Sequence, residues 1–182
     1  MIRRFLTVVL LAFAGAHCSD AAAVNSTDVL AGDIVTGILP VVAFGTAWLK
    51  DDHEGEVEWL RDTVESEVLV SSLRLAFGNS SWGRRPNGGK YGFPSGHAGF
   101  VFSQAGFMQE RYGWKYGVPS LIAATAVSYI RVREDKHRWR DVIVGGGLSY
   151  GVSLLTVTPY GATHLAPIVG PDWLGIRFER SF

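Results

Sequence analysis

Apolar and polar positions alternate along the chain in long blocks, and the blocks predict helices. Phe5 to Ala16 is uniformly apolar and follows Arg3 and Arg4. Val29 to Leu49 carries one charge, Asp33, with Pro40 inside. That predicts a membrane helix, or a buried core helix kinked where proline cannot donate its hydrogen bond. A charged loop covers residues 50–56, after which Val57, Leu60, Val64, Val68 and Leu75 recur near the helical period. Glu58, Asp62, Glu65 and Glu67 fill positions between them. The reading is an amphipathic helix over 56–77, its apolar stripe turned to the core and its acids to water, closing at Gly78.

Residues 78 to 94 hold five glycines and two prolines, a loop long enough to carry function. Ser95 can cap the exposed amides of a helix that continues to about Glu110. Val118 to Ile130 predicts another helix with Pro119 in its first turn. A further helix spans Asp141 to Val157, uncharged after its first residue and containing Gly145-Gly146-Gly147. Each interior glycine costs a helix about 1 kcal/mol against alanine. Close approach of a neighbouring helix is the physical reason to accept that cost. The tail beyond Pro159 is rich in proline and glycine, and residues 173–178 alternate weakly like a strand. The predicted class is all-α, a bundle of about five to six helices with its chemistry in loops and helix ends.

Composition narrows this picture. With 182 residues the chain can build one domain with a real core. Its net charge is zero, so no bulk field points to nucleic acid as a partner. Zinc-finger spacing, a Walker loop and a dinucleotide fingerprint do not occur in the sequence. The arginine pair, the 12-residue apolar run and Ala21-Ala22-Ala23 read as a secretory signal with a small-residue cleavage site, the alternative being a short N-terminal membrane anchor. The organisation expected is therefore a signal peptide at 1–23 and one domain at 24–182, exported to the periplasm or the periplasmic face of the cell membrane. Cys18 is the only cysteine and falls in the signal, which leaves the mature chain without disulfide or thiol chemistry.

The candidate chemistry lies between residues 85 and 141. Arg85-Pro86, then Pro94-Ser95-Gly96-His97, then Arg131, His137 and Asp141 follow in order. Phosphoryl transfer without a metal needs a nucleophile, cations on the phosphate oxygens, and a proton for the leaving oxygen. Arginine suits the cations because its planar fork makes paired hydrogen bonds to phosphate. Amides at a helix start, such as the one opening at Ser95-Gly96, suit the same task. His137 and Asp141 stand four apart at a predicted helix start and share a face. A carboxylate there can hold one ring nitrogen and leave the other nucleophilic. His17, His53 and His164 lack such companions and read as ordinary surface or core histidines.

These three segments resemble the signature of the type 2 phosphatidic acid phosphatase family, which includes bacterial acid phosphatases and vanadium haloperoxidases. The family pattern is a lysine, then Arg-Pro, then Pro-Ser-Gly-His, then Arg-x5-His-x3-Asp. Here Arg85-Pro86, Pro94-Ser95-Gly96-His97 and Arg131-x5-His137-x3-Asp141 match it, and the similarity is expected to extend over residues 60–157. The resemblance implies His137 as the nucleophile that forms a phosphohistidine, Asp141 as its orienting partner and His97 as the general acid. It implies Arg85, Ser95, Gly96 and Arg131 as phosphate ligands, with no metal or other cofactor.

One departure stands out. The family lysine position, seven residues before Arg85, is Gly78, so Arg74, Arg84 or Lys90 must replace it, and Arg74 on the preceding helix is placed first. The expected function is a metal-independent phosphatase acting on a lipid phosphate or pyrophosphate, associated with the membrane. The alternatives on the same scaffold are a soluble broad-specificity acid phosphatase, a vanadium haloperoxidase and a catalytically silent lipid-binding protein.

Overall fold

The computed structural model describes residues 26–161, 163–169 and 174–180; the segment expected to be the signal peptide lies outside them. Among the described residues the helices are α1 (Ser26–Leu49), α2 (His53–Phe77), α3 (Gly96–Tyr112), α4 (Trp114–Arg133) and α5 (Trp139–Thr156). An antiparallel hairpin follows, β1 (Thr163–Val169) against β2 (Leu174–Arg180), with Thr163 opposite Arg180. The fold class is all-α, and the strand-like tail becomes β2.

Helix α3 is the axis of the bundle. It touches each of the other four helices, and its residues are buried almost without a break from Ala98 to Arg111. Val101, Phe102 and Ala105 meet Leu39 of α1, Leu121, Ala124 and Val127 of α4, and Tyr150 of α5 in one cluster. Phe107 and Met108 meet Ala43 and Ala47 of α1 and Val157 in a second. Burying a side chain of this size stabilises the fold by about 1.5–3 kcal/mol relative to leaving it exposed. The glycines of α5 divide by direction. A Cβ on Gly145 would stand 2.4 Å from the Ser95 carbonyl oxygen, and one on Gly146 would stand 2.7 Å from the Phe102 ring. Gly147 has nothing within 4 Å. Two of the three thus permit the close packing of α5 on α3 and its cap.

Two expectations are corrected here. The first concerns the sidedness of α2. Val57, Leu60, Val64, Val68 and Leu75, expected in the core, are 51–72% exposed. Asp62 and Ser66 are fully buried and Glu58 nearly so, while Glu65 keeps the exposed side. The acids turn inward because partners wait there. Ser153 and Thr156 of α5 bring hydroxyls to Asp62 at 3.0 and 3.4 Å, and Arg111 reaches Glu58 at 3.3 Å. The second concerns α4, which starts at Trp114, before the apolar run, so Pro119 lies inside the helix. The turn at Gly113 (φ 79°) folds α4 directly back on α3, where Gly117 has room for no side chain against Gln109.

At the end of α3 opposite its capped start, Arg111 is fully buried. Its Nε donates to Asp52 Oδ2 at 2.8 Å, its Nη2 to Glu54 Oε2 at 3.1 Å and its Nη1 to the Thr158 carbonyl at 3.0 Å. Asp52 also caps α2 by accepting from the Gly55 amide at 2.9 Å and accepts from the Tyr112 hydroxyl at 2.8 Å. One guanidinium therefore ties the start of α2, the end of α3 and the exit from α5.

Candidate active site

The glycine-rich loop 78–95 is stitched to the α4–α5 connection by backbone bonds. Ser95 N–H donates to the Asp141 carbonyl at 2.9 Å, and Asn87 N–H to the Asp135 carbonyl at 3.2 Å. Arg140 lies over the Trp82 ring, 4.6 Å from its centroid, and donates to the Trp82 carbonyl at 3.0 Å. These links bring the three sequence segments to one end of the bundle, around a pocket of about 390 Å³.

Four cationic side chains line this pocket: Arg74 of α2, Arg85 of the loop, Arg131 of α4 and Lys136. His97, His137 and Gly96 complete its reactive end, and Thr36, Glu67 and Phe100 line the remainder. The Nε atoms of Arg74, Arg85 and Arg131 are buried and make no hydrogen bond among the described residues. Burial and the repulsion of Arg74 and Arg131 hold the Arg85 pKa below its ordinary value, against the pull of Asp141. Concentrated, incompletely paired positive charge of this kind is complementary to an oxyanion.

Of the three substitutes for the family lysine, Arg74 is the one that lines the pocket. A Cβ on Gly96 would stand 2.7 Å from the Arg74 guanidinium, so a glycine at the start of α3 is what lets that charge approach the helix amides. Arg84 and Lys90 are exposed and do not line it, and the Arg84 carbonyl accepts from Arg138. Ser95 is fully buried, and its hydroxyl accepts from the Ala98 amide at 3.4 Å. Its place is that of a cap that aims the first turn of α3, and Gly96 takes the position on the pocket wall.

His137 is 4% exposed, and its Nδ1 lies 2.8 Å from the Gly92 carbonyl oxygen. A carbonyl can only accept, so Nδ1 carries the hydrogen and Nε2 keeps the lone pair. Burial lowers its pKa to about 4, helped by repulsion from Arg85, His97 and Arg74 and opposed by the Gly92 bond. Asp141 is the expected holder of this ring, and its Oδ2 stands 4.0 Å from Nδ1. Its direct bonds go to the Arg138 amide at 2.7 Å and to Arg140 Nε at 3.3 Å, closing the first turn of α5 beside the histidine. His97 opens to solvent at the mouth of the pocket but is walled by protein atoms. That partial burial and the charges of Arg131, Arg74 and Lys136 hold its pKa below 6.5, while Asp33 opposes them.

Sequence reasoning missed several members of this site. Lys136 stands beside His137 in the basic run, yet nothing in the spacing says that it turns inward. Asp33, the lone charge of the α1 apolar run, pairs with Arg131, which also donates to Glu134 Oε2 at 3.0 Å. An isolated charge in such a run is itself a signal for a partner inside the fold. The Gly92 carbonyl carries no sequence signal, because every residue has one.

Comparison with known proteins points to one family. Residues 45–163 match the PAP2 superfamily. The chain is 29% identical over 154 residues to the lipid A 4'-phosphatase of Helicobacter pylori strain J99, covering 79% of this chain and 77% of that protein. No solved structure matches the chain.

Proposed function

The chain belongs to the PAP2 superfamily and is a phosphatase, and from that premise we propose that it removes a phosphate from a lipid at the periplasmic face of the cell envelope, through a phosphohistidine and without a metal. The observation that carries this reading is His137, neutral, with Nδ1 committed to Gly92 and Nε2 as its one basic nitrogen, on a wall shared with three arginines. Nε2 attacks phosphorus, the ester P–O bond breaks, and His97 gives its proton to the departing alkoxide. His97, now neutral, takes a proton from a water that attacks the phosphohistidine, which releases phosphate and restores both rings. Arg74, Arg85, Arg131, Lys136 and the Gly96 amide neutralise the equatorial oxygens throughout, the duty a divalent ion performs in other phosphoryl-transfer enzymes. Asp141 supports the ring indirectly, by fixing the turn on which His137 stands.

A lipid substrate is supported by the relative that acts on lipid A. It is supported further by α1, whose Leu30–Leu49 segment is long and apolar enough to cross a membrane. The two helices that bring Thr36 and Glu67 to the pocket, α1 and α2, also carry outward-facing apolar side chains. The secretory pattern at the N-terminus supports the periplasmic side.

The test is phosphate release by the purified protein in detergent and EDTA, from lipid A, phosphatidic acid, undecaprenyl pyrophosphate and p-nitrophenyl phosphate. Release from a lipid that persists in EDTA is expected, with unchanged helical content but about 1,000-fold less turnover in His137→Ala. Turnover of that variant within tenfold of the native chain overturns the nucleophile. Release from p-nitrophenyl phosphate alone points to a soluble broad-specificity phosphatase.

A further inference from the structure

The non-catalytic wall of the pocket holds an unusual group for an anion site. Glu67 of α2 lines it, and its Oε1 is buried without a hydrogen-bond partner among the described residues. A carboxylate oxygen only accepts, so an unpaired one is costly until a donor arrives. The transferred phosphate does not suit that place, because it is negatively charged at every pH at which His137 can attack and repels a carboxylate. The spacing also separates the two. Glu67 and Arg74 are seven residues apart on one helix, two turns or about 10 Å along its axis. The backbone of Glu67 is thereby set toward the start of α2, on the side that the alcohol carrying the phosphate would take, while burial raises the Glu67 pKa and Arg74 is near enough to oppose it. Thr36 lines the same pocket; its hydroxyl proton is given to the Gly32 carbonyl at 2.8 Å, so its oxygen is likewise left as an acceptor. Phe100, one helical turn beyond His97, adds an apolar surface to the same pocket.

Resting on the phosphatase reading above, we infer that Glu67, with Thr36, selects the leaving group, and that the substrate is the phosphate ester of an alcohol bearing its own hydrogen-bond donors: hydroxyl, amide or ammonium groups, as on a sugar ring. Esters whose leaving group is fully acylated or pure hydrocarbon have nothing to give this wall and are discriminated against. A site built around a hydrogen bond rejects the analogue that lacks it, because its own buried group is then left unpaired.

The experiment compares kcat/KM for lipid A, whose sugar carries amide and hydroxyl donors, with that for phosphatidic acid, whose diacylglycerol carries none. It uses the full chain in mixed micelles and reads the native protein, Glu67→Leu, Glu67→Gln and Thr36→Val. The native chain is expected to prefer lipid A. Glu67→Leu should lower the lipid A to phosphatidic acid ratio about tenfold or more, with Glu67→Gln, which keeps an acceptor oxygen and the same shape, losing less. Inhibition by inorganic vanadate, read on every variant, should stay within twofold of native and so report an intact phosphate end. Parallel loss on both lipids in Glu67→Gln, or an unchanged ratio in every variant, overturns the inference. Native turnover of neither lipid would instead overturn the lipid-phosphatase reading beneath it.

Discussion

At the scale of single residues, the proposed mechanism requires the two histidines to be in opposite protonation states, and the pocket sets a pH window in which they are. His137 must be neutral to attack, so activity fails as pH drops through its lowered pKa of about 4. His97 must hold a proton to release the alcohol, so kcat/KM fails as pH rises through a value below 6.5. An acidic optimum between these limits is expected in the kcat/KM profile. Bound phosphate offsets the repulsion from Arg131, Arg74 and Lys136 and raises His97, so the alkaline limb of kcat should lie above that of kcat/KM. Asp33→Asn removes the carboxylate that opposes those cations and should move the alkaline limb of kcat/KM to lower pH. An upward movement, or a native alkaline limb well above 6.5, would contradict this electrostatic account.

At the scale of elements, α3 is fixed at both ends by different chemistry. Its start is capped by Ser95 and laced to α5, and that end carries the site. Its far end, about 25 Å away along a helix of 17 residues, is held by Arg111 and its ring of oxygens. Removing one partner of a buried pair leaves the other charge uncompensated. Arg111→Met should therefore destabilise the protein by about 3–5 kcal/mol. Thermal denaturation in detergent measures it, and a loss under 1 kcal/mol would mean that water reaches Asp52 and Glu58 after all. This lock also explains why α2 defeats its sequence pattern. Periodicity finds the stripe Val57, Leu60, Val64, Val68, Leu75, but a stripe has two sides. The choice of side was made by Arg111, Ser153 and Thr156, which lie 50 to 100 residues away in sequence.

At the scale of the whole molecule, this inversion places Glu58 and Asp62 inside and a stripe of aliphatic side chains outside, with Arg61 and Glu65 beside it, on a helix next to the apolar α1. A protein bathed in water gains nothing from that arrangement, whereas one seated in hydrocarbon gains on both faces. The two environments differ in a measurable way. Val64→Lys in the middle of the outer stripe changes stability by no more than about 0.5 kcal/mol if the face meets water. If the face meets lipid, the cost is about 2–3 kcal/mol. We expect the larger figure, read as loss of folded protein from the membrane fraction relative to Val64→Leu. Equal recovery of the two variants would mean that this face is hydrated.

The sequence by itself determined the all-α class, the position of every described helix to within a few residues, and the three segments that meet at the pocket. Those are local properties: period, caps, breakers, and fixed spacings such as His137 to Asp141. It also ranked Arg74 first for the missing cation, and that side chain lies on the pocket wall. Tertiary structure alone decided which side of α2 is inside. It also decided that Lys136 and Glu67 enter the pocket, and that Asp33 meets Arg131 across nearly a hundred residues. The Gly92 carbonyl, with Asp141 one bond further away, is what fixes the His137 tautomer. Each of these is a pairing between distant groups whose strength depends on burial and direction, and neither quantity exists until the helices have packed.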